Sequence, residues 1–237
     1  MHYVFSDLHG QLSLYQQIMS HFPSDSTFYF LGDAADRGIH GYKIINRLLE
    51  LVSRNMLIYL KGNHEDMLVR AAIELDDCAK AQDLTRMEYV SHFDRDVNLI
   101  MDMGVDMRIY ALNGGAPTFQ EWINRGCKMN FIYRLAQLPL KVSWDKYDMC
   151  HAGCTIEDWE NNNENAILWD RSHFSQPWYP NRILVHGHTP VGSMDMNKRL
   201  KPYNYCNHQK WDIDTGCFQT GYISVLCLET QEYTTFC

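Results

Sequence analysis

The sequence contains no run of about 18 apolar residues, no CxxC pair and no cluster of Lys and Arg. Each absence excludes something. Without a long apolar run no segment reads as a membrane span, and Met1 leads straight into Tyr3-Val4-Phe5 with no cationic and apolar leader; a cytoplasmic protein with no membrane partner is expected. Without CxxC spacing, the cysteines at 78, 127, 150, 154, 206, 217, 227 and 237 read as reduced thiols, not as a zinc knuckle or a redox pair. With a formal charge of −8 and no basic run, the chain lacks the electrostatic footprint of a nucleic-acid binder, so no nucleic-acid partner is expected.

What is present is a composition that folds. Hydrophobic residues make up 46% and charged residues 21%, the balance of a globular chain rather than a disordered one. A length of 237 residues suffices to bury a sizeable core in a single domain spanning 1–237. The first part of the chain alternates β-rich runs with amphipathic helical patterns, as βαβ units do. Strands are expected at Tyr3-Val4-Phe5-Ser6, Phe28-Tyr29-Phe30-Leu31 and Met56-Leu57-Ile58-Tyr59-Leu60. Between them, Leu12, Tyr15, Ile18 and Met19 predict a helix near 11–21, and Ile44, Ile45, Leu48, Leu49 and Val52 one near 41–53. From about 66 to 140 the pattern is mainly helical, broken by the turn signal Asn113-Gly114-Gly115, and this excursion is expected to cover one side of the sheet. Short β-rich runs return at 147–150, 183–185, 211–213 and 222–228, which are expected to build a second sheet. The expected fold class is α/β, a two-sheet β-sandwich flanked by helices in four layers.

The residues that carry chemistry sit where the expected strands end, each time beside glycine. Asp7-Leu8-His9-Gly10 follows the first strand, Gly32-Asp33 the second and Gly62-Asn63-His64-Glu65 the third. Alternation along extended backbone puts positions 7 and 9 on one side, where a carboxylate and an imidazole can face one metal. In open α/β sheets ligands bind outside the carboxyl ends of the strands, so the three turns are expected to meet in one crevice. A lone Asp-x-His-Gly is ordinarily a helix N-cap and turn, and an Asn after Gly ordinarily a turn residue. Repetition decides against that reading, because Cys150-His151-Ala152-Gly153 and Val185-His186-Gly187-His188-Thr189 add two further turns of the same kind.

Taken in order, Asp7-Leu8-His9, Gly32-Asp33-Ala34-Ala35-Asp36-Arg37-Gly38, Gly62-Asn63-His64-Glu65, His151-Ala152-Gly153 and Gly187-His188-Thr189 resemble the signature of the metallophosphatase superfamily. Within it they are most similar to the phosphoprotein-phosphatase branch in its compact bacterial and phage-lambda-type form, as are Asn113-Gly114-Gly115 and Leu168-Trp169-Asp170-Arg171. The resemblance implies two divalent metal ions, one held by Asp7, His9 and Asp33 and the other by Asp33, Asn63, His151 and His188, with Asp33 as the bridge. One carboxylate can keep two cations roughly 3.5–4 Å apart. Oxygen and nitrogen ligands without thiolate favour Mn, Fe or Zn over Ca, with Mn the first expectation. By the same resemblance a metal-bridging hydroxide attacks phosphorus in line, His64 is the general acid oriented by Asp36, and Arg37, Asn63 and Arg171 bind the phosphate.

The implied activity is phosphomonoester hydrolysis, first as a serine/threonine protein phosphatase acting on a phosphorylated protein or a small phosphoester. A dinucleoside-polyphosphate hydrolase and a small-molecule phosphomonoesterase are the rival enzymes, and a silent binding module on the same scaffold is the non-enzyme alternative. The small pair Ala34-Ala35 departs from the family pattern and is expected to open space beside the metals. His186 is expected behind the ligands, as a supporting or core histidine, and Asp214-Thr215-Gly216 is expected to support the site by hydrogen bonds. His2, His21, His40, His92, His173 and His208 read as surface or turn residues, and the oligomeric state stays open.

Overall fold

A computed structural model describes residues 1–93, 104–194 and 200–237. Among the described residues, ten strands form two five-stranded sheets. The first runs in the order β10(Tyr233–Phe236), β9(Ile223–Cys227), β1(His2–Phe5), β2(Thr27–Phe30), β3(Leu57–Tyr59). The second runs β4(Lys141–Trp144), β5(Tyr147–Cys150), β6(Ile183–His186), β8(Lys210–Asp212), β7(Tyr203–Tyr205). As expected from their βαβ spacing, β1, β2 and β3 are parallel, joined by α1(Leu12–His21) and α2(Gly41–Ser53). Strands β5, β6 and β8 are parallel in the second sheet.

The final β-rich run departs from expectation. Strand β9 pairs antiparallel with β1 and β10 with β9, so the chain returns to the first sheet instead of completing the second. The second sheet is completed by β4 and β7, two short half-buried edge strands without a long apolar run to announce them.

The period of two along each strand sorts side chains into layers. Val4, Tyr29 and Leu226 of the first sheet meet Tyr147, Met149, Val185 and Trp211 of the second in the core between them. Their neighbours Phe5, Phe28, Phe30 and Val225 point the other way, into the helical layer, and Cys150 and Leu184 point out of the second sheet onto Trp178 and Ile167. Helix α2 buries Ile44, Ile45, Leu48 and Leu49 on one stripe against the first sheet. Each such side chain contributes roughly 1.5–3 kcal/mol.

The excursion comprises α3(Asn63–Ala81), α4(Arg86–Phe93), α5(Val105–Leu112), α6(Ala116–Asn124) and α7(Met129–Ala136). Its buried residues Leu68, Tyr110, Trp122 and Ile132 join the same core as α2, placing it on the helical side of the first sheet. Short helices α8(Ile156–Glu160) and α9(Glu164–Trp169) flank the second sheet, with α10(Val191–Met194) and α11(Cys217–Thr220) near its end. Two sheets flanked by helices is the architecture the sequence predicts. No helix among the described residues is long and apolar enough to cross a membrane.

Candidate metal centre and active site

Apart from Arg171, which follows α9, the site residues lie on the turns that leave the carboxyl ends of β1, β2, β3, β5 and β6, and all but Arg37 and Arg171 are buried. Strand alternation is not what aims them. Asp7 (φ 56), His9 (φ 41), Asp33 (φ 62), Asp36 (φ 70), Arg37 (φ 61) and His188 (φ 68) all occupy the left-handed region. That conformation is unfavourable for non-glycine residues and persists only where the surroundings over-determine it. Glycines make room for the turns: a Cβ on Gly62 would collide with the Asp33 carboxylate, and one on Gly187 with that of Asp7.

Asp33 stands at the centre, with its two oxygens facing opposite ways. Oδ2 lies 3.7 Å from His9 Nε2 and 3.8 Å from His64 Nε2, while Oδ1 lies 3.4 Å from His151 Nε2. Two groups result, His9–Asp33–His64 and Asp33–His151–His188, each with ligand-type atoms within 4.8 Å of one another. Asn63 joins the second group through its amide oxygen, 2.8 Å from His151 Nε2 and 3.0 Å from His188 Nδ1. Asp7 belongs to neither tight group. Its Oδ2 accepts the backbone N–H of His188 at 3.1 Å and the Ser6 hydroxyl, so it ties the β6 turn to the β1 turn.

These donors fit divalent cations. His9 and His151 commit Nδ1 to the carbonyl oxygens of Ala35 (3.0 Å) and Leu31 (2.8 Å), which fixes each ring and leaves Nε2 aimed at Asp33. Burial, with the charges of His64 and Arg37, lowers His9 to about 3; burial and the Arg37 charge lower His64 to about 3. Burial likewise lowers His151 and His188, so the three imidazoles that could ligate, His9, His151 and His188, offer lone pairs at neutral pH. Asp33 is pushed up by burial and by the nearby charges of Asp7 and Glu65, an anionic crowding that a bound cation relieves. His188 Nε2, by contrast, is buried without a protein partner.

Around this centre stand the residues expected to handle phosphate. His64 Nδ1 is 2.7 Å from Asp36 Oδ2, and Arg37 Nη2 is 3.3 Å from His64 Nε2. Arg171 donates to Thr189 Oγ1 at 2.9 Å and reaches the His188 carbonyl at 3.4 Å, which places it on the β6 turn. The neighbouring Asp170 instead accepts from Ser172, so no Asp170–Arg171 surface pair competes.

Two expectations need correction. Ala34 and Ala35 are fully buried in the helical core, so they open no space beside the metals. His173 is no surface residue: it is fully buried, its Nε2 3.5 Å from His186 Nε2 and 3.3 Å from Tyr205 Oη. Asp214 Oδ1 accepts from Gly216 N–H at 2.7 Å and its carbonyl accepts from Val191 N–H at 2.8 Å, so this turn braces the segment after the β6 turn by hydrogen bonds and not as a ligand. His186 lies behind the ligands as expected, bonded to Tyr205 Oη at 2.6 Å.

Sequence reasoning assigned no role to Glu65, Tyr110 or Thr118. The buried Glu65 carboxylate accepts the N–H groups of Asp33 (2.8 Å), Ala34 (2.8 Å) and Gly62 (3.0 Å) and the Tyr59 hydroxyl (2.9 Å), locking two ligand turns together. Its place as the third residue of α3, where a carboxylate caps free N–H groups, was a usable signal. Tyr110 and Thr118 lie in the excursion, where no spacing pointed to them.

Imidazoles and carboxylates on strand-end turns of a two-sheet sandwich, gathered around one shared aspartate, define a metal-dependent phosphoesterase. The chain belongs to the calcineurin-like phosphoesterase family, whose model matches residues 3–214. It is 40% identical over 228 residues to a bis(5'-nucleosyl)-tetraphosphatase of Anoxybacillus flavithermus, covering 86% of this chain and 76% of that one. A second bis(5'-nucleosyl)-tetraphosphatase, from Halalkalibacterium halodurans, is 24% identical over 220 residues with the same coverage. A serine/threonine-protein phosphatase of Caenorhabditis elegans is 33% identical over 118 residues, 47% of this chain and 24% of its own length. In fold, the cold-active protein-tyrosine phosphatase of a psychrophilic Shewanella superposes with a TM-score of 0.59 at 15% identity, covering 99% of this chain and 79% of that one.

Proposed function

We propose that this phosphoesterase hydrolyses a dinucleoside polyphosphate at a two-metal centre. The carrying observation is the two-faced Asp33, with one oxygen toward His9 and His64 and the other toward His151. His9 and Asp33, with Asp7 alongside, would hold one ion; Asp33, Asn63, His151 and His188 would hold the other. When bound, the pair supplies Lewis-acid polarisation of the phosphoryl group and an activated water. Mn is the first metal to test, then Fe and Zn.

The chain's own groups do the rest. His64, held by Asp36 at Nδ1, turns Nε2 to the leaving oxygen and, once protonated, would donate to it. Arg37 and Arg171 offer guanidinium forks that orient a phosphate chain and stabilise charge on its oxygens. The nucleoside reading is supported by the coverage and identity of the two tetraphosphatase relatives. It is supported as well by Trp169, whose 37% exposed ring lies 6.1 Å from that of His188 and offers a face on which a base can stack.

The serine/threonine protein phosphatase is the second reading. It rests on the Asp36–His64 pair, which serves an alkoxide leaving group that needs a proton more than a nucleotide does. Parallel assays with a dinucleoside tetraphosphate and a phosphoserine peptide separate the two. A kcat/KM at least tenfold higher on the nucleotide is expected; the reverse ratio overturns the preferred reading.

A further inference from the structure

We propose that Tyr110, outside every strand-end motif, is the positioning residue that holds Asp36 against His64 and so aims the proton donor. The proposal rests on the reading of His64 as that donor. Asp36 is fully buried and has two oxygens to satisfy. Oδ2 meets His64 Nδ1 at 2.7 Å, and Oδ1 accepts the Tyr110 hydroxyl at 2.5 Å. The terminal torsion of an aspartate is broad, so a carboxylate bound at one oxygen only can swing away from its imidazole. A donor on the other oxygen removes that freedom.

The donor is itself held. Tyr110 is 1% exposed, packs edge-on against Phe119 at 5.8 Å, and sits so close to Gly115 that a Cβ there would lie 2.5 Å from its ring. Two further contacts bring the α5–α6 corner onto the same turn: Asp36 N–H donates to Thr118 Oγ1 at 3.0 Å and Arg37 N–H to the Gly114 carbonyl at 2.9 Å. The excursion thus grips residues 36–37 at three points, and at the carboxylate that faces His64 it is the Tyr110 hydroxyl, with the Thr118 side chain beside it, that makes contact. The Asn113-Gly114-Gly115 turn gains a purpose, since it sets Gly114 against Arg37 and Gly115 against Tyr110.

Leaving-group dependence provides the test, because a phenolate needs protonation more than a p-nitrophenolate does. Tyr110→Phe should lower kcat on phenyl phosphate by about tenfold, the effect of one hydrogen bond to a charged group, with KM and metal content unchanged. On p-nitrophenyl phosphate the loss should be under about twofold. In an Asp36→Asn background the substitution should cost nothing more, because it acts through Asp36. Equal losses on both substrates, or additive losses with Asp36→Asn, overturn the proposal. His64→Asn on the same pair tests the underlying reading separately: if it shows no leaving-group dependence, the donor assignment falls, whereas dependence in His64→Asn but not in Tyr110→Phe removes Tyr110 alone. Should Tyr110→Phe fail to fold, 3-fluorotyrosine at position 110 keeps the packing and changes donor strength; a rate change confined to phenyl phosphate supports the role, and none at all overturns it.

Discussion

Two histidine clusters lie back to back at the carboxyl end of β6, and they put the same side chain to opposite uses. In the first, His9 and His151 are anchored at Nδ1 by backbone carbonyls and turn Nε2 toward the Asp33 carboxylate, while His64 is anchored by Asp36. In the second, His173 and His186 turn Nε2 toward each other and toward the Tyr205 hydroxyl, which fills the gap a cation would need. The Asp170 carboxylate sits on the outer nitrogen of His173 at 3.2 Å, away from the point where the two rings meet. Buried imidazoles are therefore not by themselves a metal centre: what they converge on, an anionic oxygen or a neutral hydroxyl, decides between chemistry and packing.

If that contrast is right, changes in the first cluster should remove activity and changes in the second should remove stability. The largest effect is expected for His64→Asn, which should cut kcat on poor leaving groups by about 10²–10⁴-fold while elemental analysis finds the metal content intact. In the second cluster, burial and the charge of Lys210 lower His173 to about 3 from 6.5. The folded protein then takes up this proton only near pH 3, whereas the unfolded chain takes it up near 6.5. Stability from the neutral ring is complete above 6.5 and is lost as pH falls toward 3. Urea denaturation of metal-free His173→Asn should show a shallower acid decline across that window than the parent.

His186→Phe leaves the Tyr205 hydroxyl without its 2.6 Å partner and should destabilise the fold by about 1–3 kcal/mol. Its kcat should stay within about twofold, because catalysis does not pass through this cluster. Tyr205→Phe should cost least, about 1 kcal/mol by the same measurement, again with activity preserved. A large loss of kcat in either variant would erase the distinction between the clusters.

The ligand turns were legible because metal chemistry restricts residue types, so Asp7, His9, Asp33, Asn63, His151 and His188 stood out beside glycines at successive strand ends. Their aim is not legible from alternation along a strand, because Asp7 and His9 both lie past the end of β1 in left-handed conformation. The parallel β1-β2-β3 core was legible from helical and extended periodicity. Sheet membership of β9 was not, because an apolar strand buried on both faces reads the same in either sheet. Tyr110 and Thr118 were invisible for a different reason, since a tyrosine and a threonine in a helical stretch carry no sign of the distant aspartate they touch.

Elemental analysis of the purified protein beside its Asp33→Asn variant tests the central claim most directly. Two divalent ions per parent chain, with both weakened together in the variant, is the predicted result. A variant that keeps two ions at full occupancy, or a parent chain that binds none when supplied with Mn, Fe or Zn, would contradict an aspartate shared between two metals.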